Sequence, residues 1–212
     1  MIAMNKPPHK FFEAFLDNDL EELTSYLINK QDEILEGKIG NIPAEELKKY
    51  EKHNGPATQL GSYYNVFKFD NPAITKLQDA LRNLIKEACT YYGLNYDAQN
   101  YMIHGWFNVD PKTEGVHVSP IHNEMFFHDH MGGEGAPVFH GYYCINAEPS
   151  STFYKINNEI PFENINKNNR AIVSETGHPH GRDDWYQDSP RITLAYDIAP
   201  SDSQVHGEWI KL

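Results

Sequence analysis

Tyr101-Met102-Ile103-His104-Gly105-Trp106-Phe107-Asn108-Val109, closed by Asp110-Pro111, is where the chain changes character. The run is rich in aromatic and β-branched residues and stops at a turn-forming pair, so it reads as a strand. Beyond it, Val138 to Asn146, Thr152 to Ile156, Arg170 to Ser174 and Arg191 to Ile198 are strand-like too. Val116 to His130 holds one or two more, interrupted at Pro120. The glycine-rich Met131 to Pro137 reads as a loop, and Glu148-Pro149-Ser150-Ser151 as a turn. Short strands parted by Gly and Pro turns predict an antiparallel barrel or jelly roll.

Upstream the period is helical. Asp17 to Ile28 places Leu20, Leu23 and Leu27 on one face, with Asp17 or Asn18 as cap. Pro43-Ala44-Glu45-Glu46-Leu47 has the proline and acids of a helix start. His53 to Ser62 reads as loop. Pro72 to Tyr92 is the strongest helix: Ile74, Leu77, Leu81, Leu84, Ile85 and Ala88 form a stripe, and Gly93 supplies the stop. That stripe is a packing face for a sheet. The expected fold is therefore α+β, one domain over residues 1–212. A mainly helical layer (1–95) supports a jelly-roll core (96–200), with its helices outside, on one sheet.

Composition narrows the partners. The chain of 212 residues has 18 Lys and Arg against 30 Asp and Glu, a formal charge of -12. Such a balance argues against a broad phosphate-binding surface, so no nucleic acid is expected. No apolar run approaches the roughly 18 residues of a membrane span. The first ten residues lack the apolar core of a secretion signal. Cys89 and Cys144 make no disulfide framework, and a reducing, cytoplasmic setting is expected. A small molecule or peptide is the expected partner, and oligomerisation is left open.

Histidine carries the chemistry. Eight of the eleven histidines lie between His104 and His180. Within Phe126-Phe127-His128-Asp129-His130, the two imidazoles are separated by one residue. On a strand, residues i and i+2 share a face, so both rings can reach one metal ion. Gly177-His178-Pro179-His180-Gly181 offers a third ligand some fifty residues on, from either histidine. Eleven residues past His180, Arg191 opens the strand Arg191-Ile192-Thr193-Leu194-Ala195-Tyr196. Arg191 and Thr193 share a face and together suit a carboxylate, through a bidentate guanidinium and a hydroxyl. A lone His-x-His or a lone strand arginine says little. Their order says more.

That order resembles the Fe(II)/2-oxoglutarate-dependent oxygenases, particularly their prolyl-hydroxylase-like branch, over roughly Tyr101 to Pro200. Phe139-His140-Gly141-Tyr142-Tyr143-Cys144-Ile145-Asn146 looks like the paired-tyrosine strand following the first metal motif in that family. Glu148 to Tyr154 and Pro190 to Asp197 are similar to oxygenase-like proteins of marine cyanobacterial phages, which would place the chain in a host cytoplasm. The resemblance implies a double-stranded β-helix, cupin-like, binding one Fe(II) at its open end. It also implies 2-oxoglutarate as co-substrate and O2 as oxidant. Arg191 would meet the distal carboxylate of 2-oxoglutarate, with Thr193 in support and Tyr143 as its hydrogen-bonding tyrosine.

One departure stands out. The family pattern is His-x-Asp or His-x-Glu plus a distal histidine, whereas this chain has His130 where the carboxylate belongs. A literal His122-Asn123-Glu124 exists, but Glu124 lies 17 residues ahead of Gly141, and His206-Gly207-Glu208 falls in the tail. The preferred ligand set is His128, His130 and His180, with His122, Glu124 and His180 second. Spacing to Trp185 and Arg191 favours His180 over His178, whose ring Pro179 should hold apart. His140 alternates with Tyr143 and reads as a supporting residue. Trp106 and Asn108 lie on a strand entering the site. Three functions remain open: a 2-oxoglutarate oxygenase, a three-histidine cupin-type dioxygenase without 2-oxoglutarate, and a non-catalytic binding module.

Overall fold

The computed structural model describes residues 8–52, 55–97, 100–114, 127–130, 137–156, 162–203, 205 and 207–212. Along them run β1 (Phe12–Phe15), α1 (Leu20–Leu35), α2 (Ala44–Tyr50), α3 (Pro56–Gln59) and α4 (Pro72–Tyr92). There follow β2 (Tyr101–Asp110), β3 (Phe139–Asn146), β4 (Ser151–Tyr154), β5 (Phe162–Ile165) and β6 (Arg170–Glu175). The chain closes with β7 (His180–Arg182), β8 (Arg191–Pro200) and β9 (Ile210–Lys211).

The fold is mixed α+β with two antiparallel sheets. One has six strands in the order β1-β6-β3-β8-β2-β9, the other three in the order β5-β4-β7. His128 extends the smaller sheet past β7: its N–H donates to His180 O at 3.0 Å, and His180 N–H returns a bond at 2.8 Å.

α4 has the predicted bounds. Asn71 Oδ1 accepts from Ala73 N and Ile74 N at its start, and Gly93 ends it at φ 70°, which a side chain would resist. Its stripe of Ile74, Leu77, Leu81, Leu84, Ile85 and Ala88 is buried. Truncating Leu81 to alanine would cost about 2–5 kcal/mol, as core leucines do. α1 departs from expectation: Asp19 caps it, accepting from Glu21 N and Glu22 N, and the helix continues to Leu35. Asp19 wins because only its carboxylate reaches both free amides of the first turn. The expected loop at 53–62 instead holds α3 and a short 3-10 turn at Gly61–Tyr63, within the described residues.

The front of the chain is not purely helical. β1 pairs with β6, so residues 12–15 form an edge of the larger sheet. β5, β7 and β9 are likewise strands that the sequence pattern did not announce. Each is four residues or fewer, too short to display alternation.

Strand alternation divides the larger sheet into two faces. Ile103, Phe107, Phe139, Tyr143, Ile145, Val173, Leu194, Tyr196 and Ile198 join α1 and α4 in one apolar core. Opposite them, Tyr142, Cys144 and Ile172 pack with Tyr154 of the smaller sheet. Gly141 permits the close approach of strands there. A methyl group at this position would strike the Ile172 carbonyl and the Tyr196 ring. Tyr196 Oη uses the space to donate to the Tyr142 and Ile172 carbonyls, at 3.1 and 2.7 Å. No described helix is long and apolar enough to cross a membrane.

Candidate metal centre

The three preferred histidines meet. One ring nitrogen from each of His128, His130 and His180 lies within 4.8 Å of the other two. His128 forms an isolated bridge with His180 as its cross-strand partner, and His130 follows two residues on. Ring centroids are 4.5 Å apart for His128 and His180, and 5.1 Å for His130 and His180.

Two of the rings are oriented from behind. His130 donates from Nδ1 to Asp197 Oδ1 at 2.6 Å. His180 directs Nδ1 at the His178 carbonyl, 3.2 Å away. In both cases Nε2 is left for an ion, and acceptors of this kind fix the ring and raise its basicity as a ligand. Trp106 stacks on His130 with centroids 5.8 Å apart.

Asp197 sits in a polar row across the larger sheet, between His104 of β2 and His140 of β3, with Ser174 next on β6. The His140 ring lies 4.6 Å from that of His180, and its Nε2 shares a hydrogen bond of 3.0 Å with Ser174 Oγ. His140 therefore backs the cluster. Burial, reinforced by neighbouring imidazoles, lowers His128 and His140 and pushes His180 down to about 3. Neutral imidazole is the form that ligates, so the lowered pKa of His128 and His180 favours the ligating form.

Below this row the same face carries Arg191 and Thr193. Arg191 is 3% exposed. Its Nε donates to Ser150 Oγ at 3.3 Å and its Nη1 to Asp110 Oδ2 at 3.4 Å. Arg182 approaches the same Asp110 oxygen at 3.2 Å. Two guanidinium groups thus share one carboxylate, leaving a positive charge in excess. Thr193 Oγ1 accepts from Asn108 Nδ2 at 3.0 Å, which leaves its own proton for another acceptor.

Tyr143 does not join them, and its expected co-substrate role is corrected here. It lies on the helix side of β3, where Asn18 Nδ2 donates to its Oη at 3.0 Å and the Oη donates to Asn169 Oδ1. Strand alternation puts Tyr142, not Tyr143, on the Arg191 face. Tyr142 Oη is buried and makes no hydrogen bond of good geometry among the described residues, although Thr152 lies near enough to be felt. Burial raises its pKa, while Arg170 and Arg191 oppose the rise.

His178 belongs to a different cluster, with His9 and Glu175. His122 and Glu124, the second ligand set, lie outside the described residues, as do His117 and His206. Sequence reading missed Asp197, Asp110 and Tyr142. Counting by twos from Arg191 reaches Asp197, and counting by twos from His140 reaches Tyr142, so parity could have found both.

The donor set suits a borderline divalent transition ion: three imidazoles, two of them braced, with a carboxylate behind one. Searches of protein-family models and of curated proteins give no match to this chain.

Proposed function

We propose that this protein is a mononuclear non-haem iron oxygenase that couples 2-oxoglutarate decarboxylation to hydroxylation of a peptide or small metabolite. The observation that carries it is the convergence of three imidazoles, with His128 and His180 on the smaller sheet, against the Asp197 end of the larger-sheet face on which Arg191 is buried. The strand order supports a double-stranded β-helix beneath it. Counting the His128 bridge as a strand, the chain passes from β2 to that bridge, to β3, to β4 and β5, to β6, to β7 and to β8, changing sheets at each step. Such alternation is the winding of a jelly roll.

His128, His130 and His180 would hold Fe(II) and leave the remaining coordination positions open. Ion, co-substrate and O2 together would supply the oxidising power, 2-oxoglutarate leaving as succinate and CO2 while one oxygen atom enters a C–H bond. Asp197 would brace His130 and balance part of the ionic charge that three neutral ligands leave unmatched. Arg191 would receive the distal carboxylate, with Thr193 and Tyr142 as hydroxyl donors. The buried apolar wall of Tyr154, Ile172 and Cys144 would keep water out.

Asp110 favours a second reading. Because Arg191 already has a carboxylate partner, a three-histidine dioxygenase needing no 2-oxoglutarate fits the same ligands. Anaerobic loading with Fe(II), then addition of O2 and 2-oxoglutarate, separates the readings by succinate release. Release above the metal-free control is expected. Iron-loaded protein that neither binds 2-oxoglutarate nor forms succinate would exclude the first reading, leaving the second or a binding module.

A further inference from the structure

Pro179 separates two histidines that go to different places. His180 turns to His128 and His130, while His178 turns back to the N-terminal segment. There one ligand atom each from His9, Glu175 and His178 lies within 4.8 Å of the other two. The His9 and His178 rings meet edge to face, centroids 4.2 Å apart, and His9 also packs edge to face against Phe11 at 4.8 Å. All three residues are partly buried, which limits their freedom without closing them to solvent.

We propose that His9, Glu175 and His178 form a second divalent metal site, best matched to Zn2+, distinct from the three-histidine centre. Two imidazoles and one carboxylate are a donor set this ion accepts, with water taking the fourth tetrahedral position. Bonds of about 2.0–2.2 Å require donors roughly 3–3.5 Å apart, within side-chain adjustment of the separation seen. The carboxylate matters: it neutralises half of the ionic charge, as no ligand of the His128 cluster does. The three ligands come from separate elements. His9 precedes β1, Glu175 ends β6, and His178 lies in the connection to β7. A bound ion would therefore pin the N-terminal edge of the larger sheet to the turn that delivers His180. It would also hold the His178 carbonyl, which orients His180 through Nδ1.

The test is metal stoichiometry on the full chain, with Zn2+ as probe, by calorimetric titration and by elemental analysis after gel filtration. Wild type is expected to bind two equivalents. Glu175→Gln, a near-isosteric change, and His9→Ala should each retain one. The His128→Ala/His180→Ala double variant should also retain one, and this arm reports on the first centre separately. A wild type that saturates at one equivalent and loses it in the double variant would overturn the proposal, as would full stoichiometry in both Glu175→Gln and His9→Ala. Should the variants not fold, Co2+ spectra of wild type decide: two resolved titration phases support the second site, and one phase ending at a single equivalent refutes it.

Discussion

Asp110 Oδ2 lies 3.4 Å from Arg191 Nη1, so the buried arginine at the base of the inner sheet face already has a counter-ion within the fold. Arg182 draws on the same oxygen. A ligand carboxylate entering here would supplement Asp110 rather than meet an unpaired cation. Asp110→Asn should therefore lower stability by about 1–3 kcal/mol, the cost of weakening charged hydrogen bonds in a partly buried cluster. Millimolar 2-oxoglutarate should restore much of the lost Tm, because binding to the folded state alone stabilises it. Thermal melts with and without the keto acid check this. A loss that 2-oxoglutarate leaves untouched would count against Arg191 as a carboxylate receiver.

Removing Arg191 itself tests the same assignment from the other side. Arg191→Ala should weaken 2-oxoglutarate binding by about 2–4 kcal/mol, the loss associated with a buried charged contact. Calorimetry on the metal-loaded protein measures it directly, and unchanged affinity would dismiss the clamp.

The adjacent tyrosines of β3 should respond in opposite ways. Tyr143→Phe breaks hydrogen bonds to Asn18 and Asn169 and should cost about 1–2 kcal/mol of stability, with 2-oxoglutarate affinity unchanged. Tyr142→Phe deletes a buried hydroxyl lacking a well-formed partner, so the ligand-free protein should be as stable or more so. Its 2-oxoglutarate affinity should fall. Denaturant unfolding paired with binding isotherms for both variants reads the contrast, which the reverse pattern would contradict.

Asp197→Asn keeps the shape of the brace behind His130 but removes its charge. Metal affinity at the three-histidine centre should drop about 10–100-fold, the usual effect of altering a ligand's hydrogen-bonding partner. Competition with a chromophoric chelator gives the number. Affinity within twofold of wild type would mean that Asp197 plays no part in holding the ion.

Acid should loosen the metal-free protein. Burial holds His180 near 3 and His140 well below the ordinary range, whereas the same rings in the unfolded chain take up protons near 6.5. Their contribution is intact above about pH 6.5 and disappears progressively as pH falls toward 3. With chelator present, Tm should decline from pH 7 to pH 4. Loading with Zn2+ at pH 7 should raise it. A flat profile across that interval would show that the rings are already protonated, or open to water, in the folded state.

Much of this molecule was readable in its residues. α4, with its asparagine, proline and glycine boundaries, is written in a period that admits one reading. β2, β3 and β8 are long enough for aromatic and branched residues to reveal a strand. The convergence of His128, His130 and His180 was legible because a His-x-His pair on an extended segment can present both rings on one side. Tyr143 lies on the helix side because alternation along β3, which likeness to a motif does not encode, turns Tyr142 to the opposite face. Asp110 and β1 escaped for a different reason. Their roles depend on partners more than eighty residues away, Arg191 and β6, and no local pattern encodes such a pairing.

The opposite fates of Tyr142 and Tyr143 divide labour between the two sides of one sheet. Substitutions at Tyr143 act on the core beneath the helices, and those at Tyr142 on the face that carries Arg191. If the proposed function holds, stability and substrate choice drift on separate schedules, the ligand face being open to redesign while the helical buttress stays as found.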